Sequence, residues 1–146
     1  MKRTKFIVPN DLVSLKDNLK PLTGLIFELS KTNSIFLLNG EMGSGKTTLM
    51  VEIGRHFSIS DPISSPTFSI VNEYETHNGT LVYHFDLYRL KDEEELYDIG
   101  FEDYLNKEAL VFIEWPVVAK NFLPDNAVSI QIEQVLNGRE IIVQHQ

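Results

Sequence analysis

Cysteine is absent from the 146 residues, which excludes a disulfide framework and any thiolate metal site. Long apolar runs are absent as well, and nothing approaches the roughly 20 residues that a membrane-spanning helix needs. The opening stretch has basic residues, but its apolar group, Phe6-Ile7-Val8, is cut off by Pro9 and is too short for a signal-peptide core. The expectation is therefore a cytoplasmic protein with no membrane partner. Positive charge is scarce: 13 Lys and Arg stand against 21 Asp and Glu, a formal charge of −8. That argues against a broad basic surface tracking a nucleic-acid backbone, so no DNA partner is expected and direct RNA contact is disfavoured, a local basic patch remaining open. The histidines His56, His77, His84 and His145 share no metal-ligand spacing. What remains, 42% hydrophobic and 10% aromatic, suits one globular domain spanning residues 1–146.

Against these absences stands one full motif. Gly40 to Thr47 fits the P-loop pattern G-x-x-x-x-G-K-[ST]. Its glycines let successive N–H groups converge on a phosphate. Lys46 then reaches the β- and γ-phosphates, and the Thr47 hydroxyl is placed to ligate magnesium. The context fits: Ile35 to Leu38 is a short apolar run typical of a strand buried on both faces. Leu49, Ile53 and Phe57 then mark one face of a helix beginning near Lys46, whose N-terminus adds its dipole to the anion site. The pattern implies a nucleoside triphosphate site formed by Glu41, Met42, Gly43, Ser44, Gly45, Lys46, Thr47 and Thr48.

Before the P-loop, Lys5 to Val8 suggests a short strand, and Asn10 or Asp11 an N-cap for a helix using Leu12, Leu15 and Leu19. Pro21 is expected to end or kink that helix, with a second segment from about Leu22 to Leu29. After the P-loop helix, Ser69 to Tyr74 and Leu81 to Phe85 flank a turn containing Asn78-Gly79, which predicts a β-hairpin. Asp92 and Glu95 read as a capping arrangement for a short helix stopping at Gly100, rather than as an acidic functional patch. Phe101 to Leu105 could add a further helical turn. Ala109 to Ile113 is a buried strand, and Val128 to Val135 with Glu140 to Val143 flank Asn137-Gly138, a type I′ hairpin signal. The fold class is α/β: a single P-loop NTPase domain with a mixed, mainly parallel sheet flanked by helices, one hairpin after the P-loop helix and another at the C-terminus.

A P-loop also needs an acid at a strand end to hold magnesium or position water. Asp86 follows Leu81 to Phe85, and Glu114 follows Leu110 to Ile113, both at strand ends where ligands of open α/β sheets sit. Lys46, Asp86 and Glu114 are thus the candidate catalytic residues, and Thr47, Glu114 and Asp86 the candidate magnesium ligands. Glu114 holds magnesium or orients the attacking water; Asp86 shares the metal shell or senses the γ-phosphate. Thr67, on the stiffened loop Ser64-Ser65-Pro66-Thr67, is either part of an ordinary Ser/Pro turn or occupies the position where P-loop proteins often carry a nucleotide-sensing switch. Trp115 sits by the nucleotide, at a partner surface, or merely at the core edge. Arg89 reaches a phosphate or pairs with a nearby acid. Asn106-Lys107-Glu108-Ala109 falls short of a guanine-reading Asn-Lys-x-Asp, which leaves adenine by elimination.

Gly40 to Thr48, then Ser65-Pro66-Thr67-Phe68, then His84-Phe85-Asp86-Leu87-Tyr88-Arg89-Leu90, then Ile113-Glu114-Trp115-Pro116 occur in that order. The set resembles the TsaE family, formerly YjeE, of bacterial tRNA threonylcarbamoyladenosine biosynthesis ATPases, over roughly residues 35–124. The resemblance implies ATP or ADP and Mg2+ as cofactors and slow ATP hydrolysis. It also implies TsaD and TsaB as the partners that carry out threonylcarbamoyl transfer, with tRNA engaged only indirectly. By that likeness Lys46 and Thr47 hold phosphate and magnesium, Asp86 and Glu114 form the acidic side, and Thr67 and Trp115 lie near the nucleotide. The alternatives are a small P-loop kinase acting on a metabolite and a module that holds nucleotide without turning it over. A kinase usually carries an arginine-rich lid, whereas Arg3, Arg55, Arg89 and Arg139 are dispersed here.

Overall fold

The apolar run before the P-loop forms the middle of a seven-stranded sheet. The computed structural model describes residues 1–10, 15–66 and 69–146. Asp11, Leu12, Thr67 and Phe68, with the roles expected of them, lie outside the described residues. The strands are β1 (Lys2–Pro9), β2 (Ile35–Asn39), β3 (Val71–Glu75), β4 (Leu81–Asp86), β5 (Ala109–Glu114), β6 (Val128–Val135) and β7 (Gly138–His145). Their order across the sheet is β1-β7-β6-β2-β5-β4-β3. The four central strands, β6, β2, β5 and β4, run parallel. Antiparallel β7 and β1 extend one side and antiparallel β3 the other. The sheet is mixed with a parallel centre, as expected.

Both faces are covered, which is why β2 and β5 read as unbroken apolar runs; all six residues of β5 are buried. Side chains alternate across the pleat. Phe36, Leu38, Leu110 and Phe112 face α1 (Leu15–Leu29) and α2 (Lys46–His56), meeting Leu22, Ile26, Met50 and Ile53. Phe36 and Phe112 are register partners with stacked rings 4.9 Å apart. Ile35, Val111, Ile113, Tyr83 and Phe85 face the other way, against Leu96 of α3 (Glu93–Asp98), Phe101 of α4 (Phe101–Leu105) and Ala119 of a 3-10 helix (Pro116–Phe122).

Three local expectations are corrected. Pro21 neither ends nor divides α1, which runs unbroken from Leu15 to Leu29. An interior proline costs a helix about 3 kcal/mol, but Leu19, Leu22 and Ile26 are all buried against the sheet, and that packing outweighs the local penalty. β1 is longer than the apolar residues suggested, because its polar residues pair along β7 from Lys2↔His145 to Pro9↔Gly138. The C-terminal hairpin forms, but not through a type I′ turn. Val135 pairs with Gly138, leaving Leu136 and Asn137 as the loop, and neither Asn137 nor Gly138 has a positive φ. Elsewhere the Asp92 carboxylate accepts from the Glu95 N–H at 3.2 Å and caps α3 as expected.

Candidate functional site

The chain leaves the end of β2 and turns back into α2 through the P-loop. Gly43 at φ 77° and Gly45 at φ 111° take conformations closed to most other residues. Beside the loop, toward β5 and β4, lies a cavity of about 600 Å³, lined among others by Gly43, Lys46, Thr47, Asp86, Glu114 and Trp115. Pleat parity explains how the acids arrive there. Asp86 and Glu114 are register partners at the last positions of β4 and β5. Glu114 lies on the same face as Leu110 and Phe112, the face on which α2 packs. Two carboxylates from neighbouring strands therefore meet the helix N-terminus.

Lys46 is only 7% exposed. Its ammonium donates to the Gly40 carbonyl at 2.5 Å and stands 4.0 Å from the centre of the Trp115 ring. Burial lowers the Lys46 pKa from its ordinary value, and the charges of Glu114, Asp86 and Glu41 oppose that shift. Burial also raises the Asp86 carboxyl; the Tyr88 N–H, donating to Oδ1 at 3.0 Å, opposes it. Glu114 is nearly inaccessible, and its Oε2 lies 2.7 Å from Nε2 of a fully buried histidine, His84. Thr47 Oγ1 is 2.5 Å from Ser65 Oγ, which brings the proline-flanked loop after α2 into the site through Ser65.

Trp115 holds φ 54° and ψ 58°, a left-handed conformation that is strained for a bulky side chain. It packs on Tyr88 with ring centres 4.9 Å apart. It also borders a second cavity of about 460 Å³ on the far side of the loop, where Glu41 and Ser44 lie. The Ser44 hydroxyl is buried with no partner among the described residues, and the Ser44 N–H is already given to the Glu41 carbonyl at 3.1 Å. Met42 and Arg89 line the first cavity, while Thr48 lines a smaller one behind the loop. The P-loop thus divides its residues among three surroundings. Those converging with the acids are Met42, Gly43, Lys46 and Thr47.

The donor set fits a magnesium-bound polyphosphate. One hydroxyl and two carboxylates supply hard oxygen ligands, and the cation and loop glycines suit the anion. Among the described residues no three His, Cys, Asp or Glu side chains form a ready-made metal cluster.

Sequence reasoning missed three residues here. His84 shares no metal-ligand spacing with the other histidines, but it stands two residues before Asp86 in an alternating strand and so shares its face. Ser65 was overshadowed by Thr67. Arg139, on β7, donates from Nε to the Ser44 carbonyl at 2.7 Å and from Nη1 to Asn10 Oδ1 at 3.0 Å. No local signal announces a contact made across 95 residues of chain.

A P-loop on the central strand, with carboxylates from the next two strands beside it, places the chain among the P-loop α/β domains. Over its full length the fold is that of the crystal structure of YdiB from Bacillus subtilis: TM-score 0.70, 24% identity, 99% of this chain and 86% of that one covered. Residues 14–141 match the family described as "Threonylcarbamoyl adenosine biosynthesis protein TsaE", and the chain belongs to that family. A Rickettsia felis protein named "tRNA threonylcarbamoyladenosine biosynthesis protein TsaE" is 41% identical over 84% of this chain and 71% of its own length. Its namesake from Haemophilus influenzae is 33% identical over 92% and 84%. The chain is thus a protein of tRNA threonylcarbamoyladenosine biosynthesis. Among the described residues no helix is long and apolar enough to cross a membrane.

Proposed function

We propose that the chain binds ATP with magnesium in the cavity beside the P-loop and hydrolyses it slowly. In this reading it serves in the cytoplasm as the ATPase subunit that supports threonylcarbamoyl transfer to tRNA by TsaD and TsaB. The observation that carries the ATPase reading is the register pairing of Asp86 with Glu114 opposite Lys46 and Thr47, around one cavity. Lys46 is held on the loop's own Gly40 carbonyl; it exchanges that partner for the β- and γ-phosphate oxygens and offsets their charge. The Thr47 hydroxyl and one or both carboxylates hold the metal, and a carboxylate oxygen not so used orients the attacking water. Magnesium held by those residues would supply positive charge to offset the negative charge that develops on the transferred phosphoryl group. The half-buried Trp115 ring lies against the buried Lys46 ammonium and limits water there, which strengthens each of these interactions.

The test is ATP turnover with magnesium, alone and after adding TsaD and TsaB. Slow turnover that rises with the pair and falls at least about 100-fold in Lys46→Ala is the expected result. Turnover indifferent to the pair overturns the coupled role and sends the search to a phosphoryl acceptor. No turnover with or without the pair overturns the ATPase.

A further inference from the structure

His84 is entirely buried, standing between Val82 and Asp86 on β4, with Phe112 as its register partner on β5. Its only hydrogen bond among the described residues joins Nε2 to Glu114 Oε2 at 2.7 Å, and Nδ1 is buried with no partner. An ionised carboxylate only accepts, so in this pair the ring donates from Nε2 to Glu114 Oε2. A residue kept for packing alone would be apolar here, like Val82 and Phe112 around it. An unpartnered ring nitrogen in a dry interior has a cost that an apolar side chain avoids. The feature that offsets this cost is the hydrogen bond to Glu114.

We propose that His84 is a positioning residue: by holding Oε2 of Glu114 it fixes the carboxylate plane and leaves Oε1 as the oxygen offered to the cavity. The neighbouring acid is handled in a similar way. Asp86 has Oδ1 held by the Tyr88 N–H at 3.0 Å, which leaves Oδ2. Each acid therefore enters the site with one oxygen restrained by the protein and one to spend on metal or water. Outer-shell hydrogen bonds of this kind set the orientation of ligating carboxylates. The inference rests on the magnesium–nucleotide reading above.

Two substitutions at one position separate positioning from packing. His84→Phe keeps the ring and removes the donor; His84→Gln restores an N–H near the place of Nε2. The readouts are Mn2+ affinity of the ADP-loaded protein by electron paramagnetic resonance, kcat and KM for Mg–ATP, and metal-free ADP affinity. In the Phe variant, Mn2+ affinity or kcat is expected to fall about 10–100-fold with metal-free ADP affinity within about twofold of the parent, and Gln to recover most of the loss. A Phe variant matching the parent in both, or a Gln variant no better than Phe, overturns the positioning role while the ATPase reading stands. A parent protein that binds no metal–nucleotide overturns both. Should the Phe variant fail to fold, nuclear magnetic resonance of the parent with 15N-labelled histidine decides. A protonated Nε2 on His84 that loses its hydrogen-bonded shift in Glu114→Gln supports the role, and a bare Nε2 overturns it.

Discussion

Burial makes the charge on Asp86 costly to the fold, and in the function proposed above that charge serves the site. Burial raises its carboxyl above the ordinary value of 3.8; the Tyr88 N–H opposes the rise, Glu114 adds to it, and His84 and Lys46 oppose it. The sign of the linkage follows. The unfolded chain gives up this proton near 3.8, whereas the folded chain holds it to higher pH. Folding therefore carries no penalty below the unfolded value, a growing one as pH climbs through the folded value, and the full penalty at neutrality. Asp86→Asn keeps an oxygen for the Tyr88 N–H and removes the charge. At pH 7 it should melt above the parent by no more than about 3 °C, since the half-exposed group is screened by solvent. The gap should close as pH falls toward 3.8, while ATP turnover at pH 7 drops. A variant that melts below its parent at pH 7 would show that Asp86 is a net stabiliser held by Lys46.

Among the elements, the β1–β7 pair depends on one glycine. A Cβ on Gly138 would lie 2.1 Å from the Val8 carbonyl oxygen and 3.0 Å from the Pro9 Cα. Both are backbone atoms of the paired strand, so no rotamer change relieves the clash. Gly138→Ala should cost about 3 kcal/mol and lower the melting temperature by about 6–12 °C for a chain of this size; thermal melts followed by circular dichroism check it. An Ala variant as stable as the parent would mean that the two strands separate there at little cost. The same glycine shows how far the elements were legible in sequence. Asn137-Gly138 marked the hairpin correctly, but for a local reason. The glycine answers to close approach by β1, from the far end of the chain, rather than to a positive φ in the turn. β2 and β5 were legible because burial on both faces leaves an unbroken apolar run. The polar half of β1 was not, because a strand at the sheet edge needs no apolar pattern to pair. Pro21 misled because its penalty is local, whereas the gain from seating Leu19, Leu22 and Ile26 comes from the sheet.

Across the whole molecule, the site residues readable from sequence are those that end an element: Thr47 and Lys46 at the start of α2, Asp86 and Glu114 at the ends of β4 and β5. Each carries its own flanking pattern. Residues that act across the fold carry none, and Arg139 shows this most plainly. Its guanidinium holds the Ser44 carbonyl at 2.7 Å and Asn10 at 3.0 Å, joining the P-loop to β7 and to the residue after β1. The peptide between Ser44 and Gly45 is trans, so a carbonyl drawn toward Arg139 points the Gly45 N–H the opposite way. One dihedral of the P-loop is thereby set by the C-terminal hairpin. Arg139→Met keeps the stem and removes the donors. If Arg139 works by shaping the loop, ATP and inorganic tripolyphosphate should lose affinity alike, by about tenfold, as expected for a hydrogen bond from a charged donor. Titration calorimetry with both ligands checks it. A loss confined to ATP would place the guanidinium against the nucleoside instead, and no loss with either ligand would show that the loop holds its shape without the hairpin.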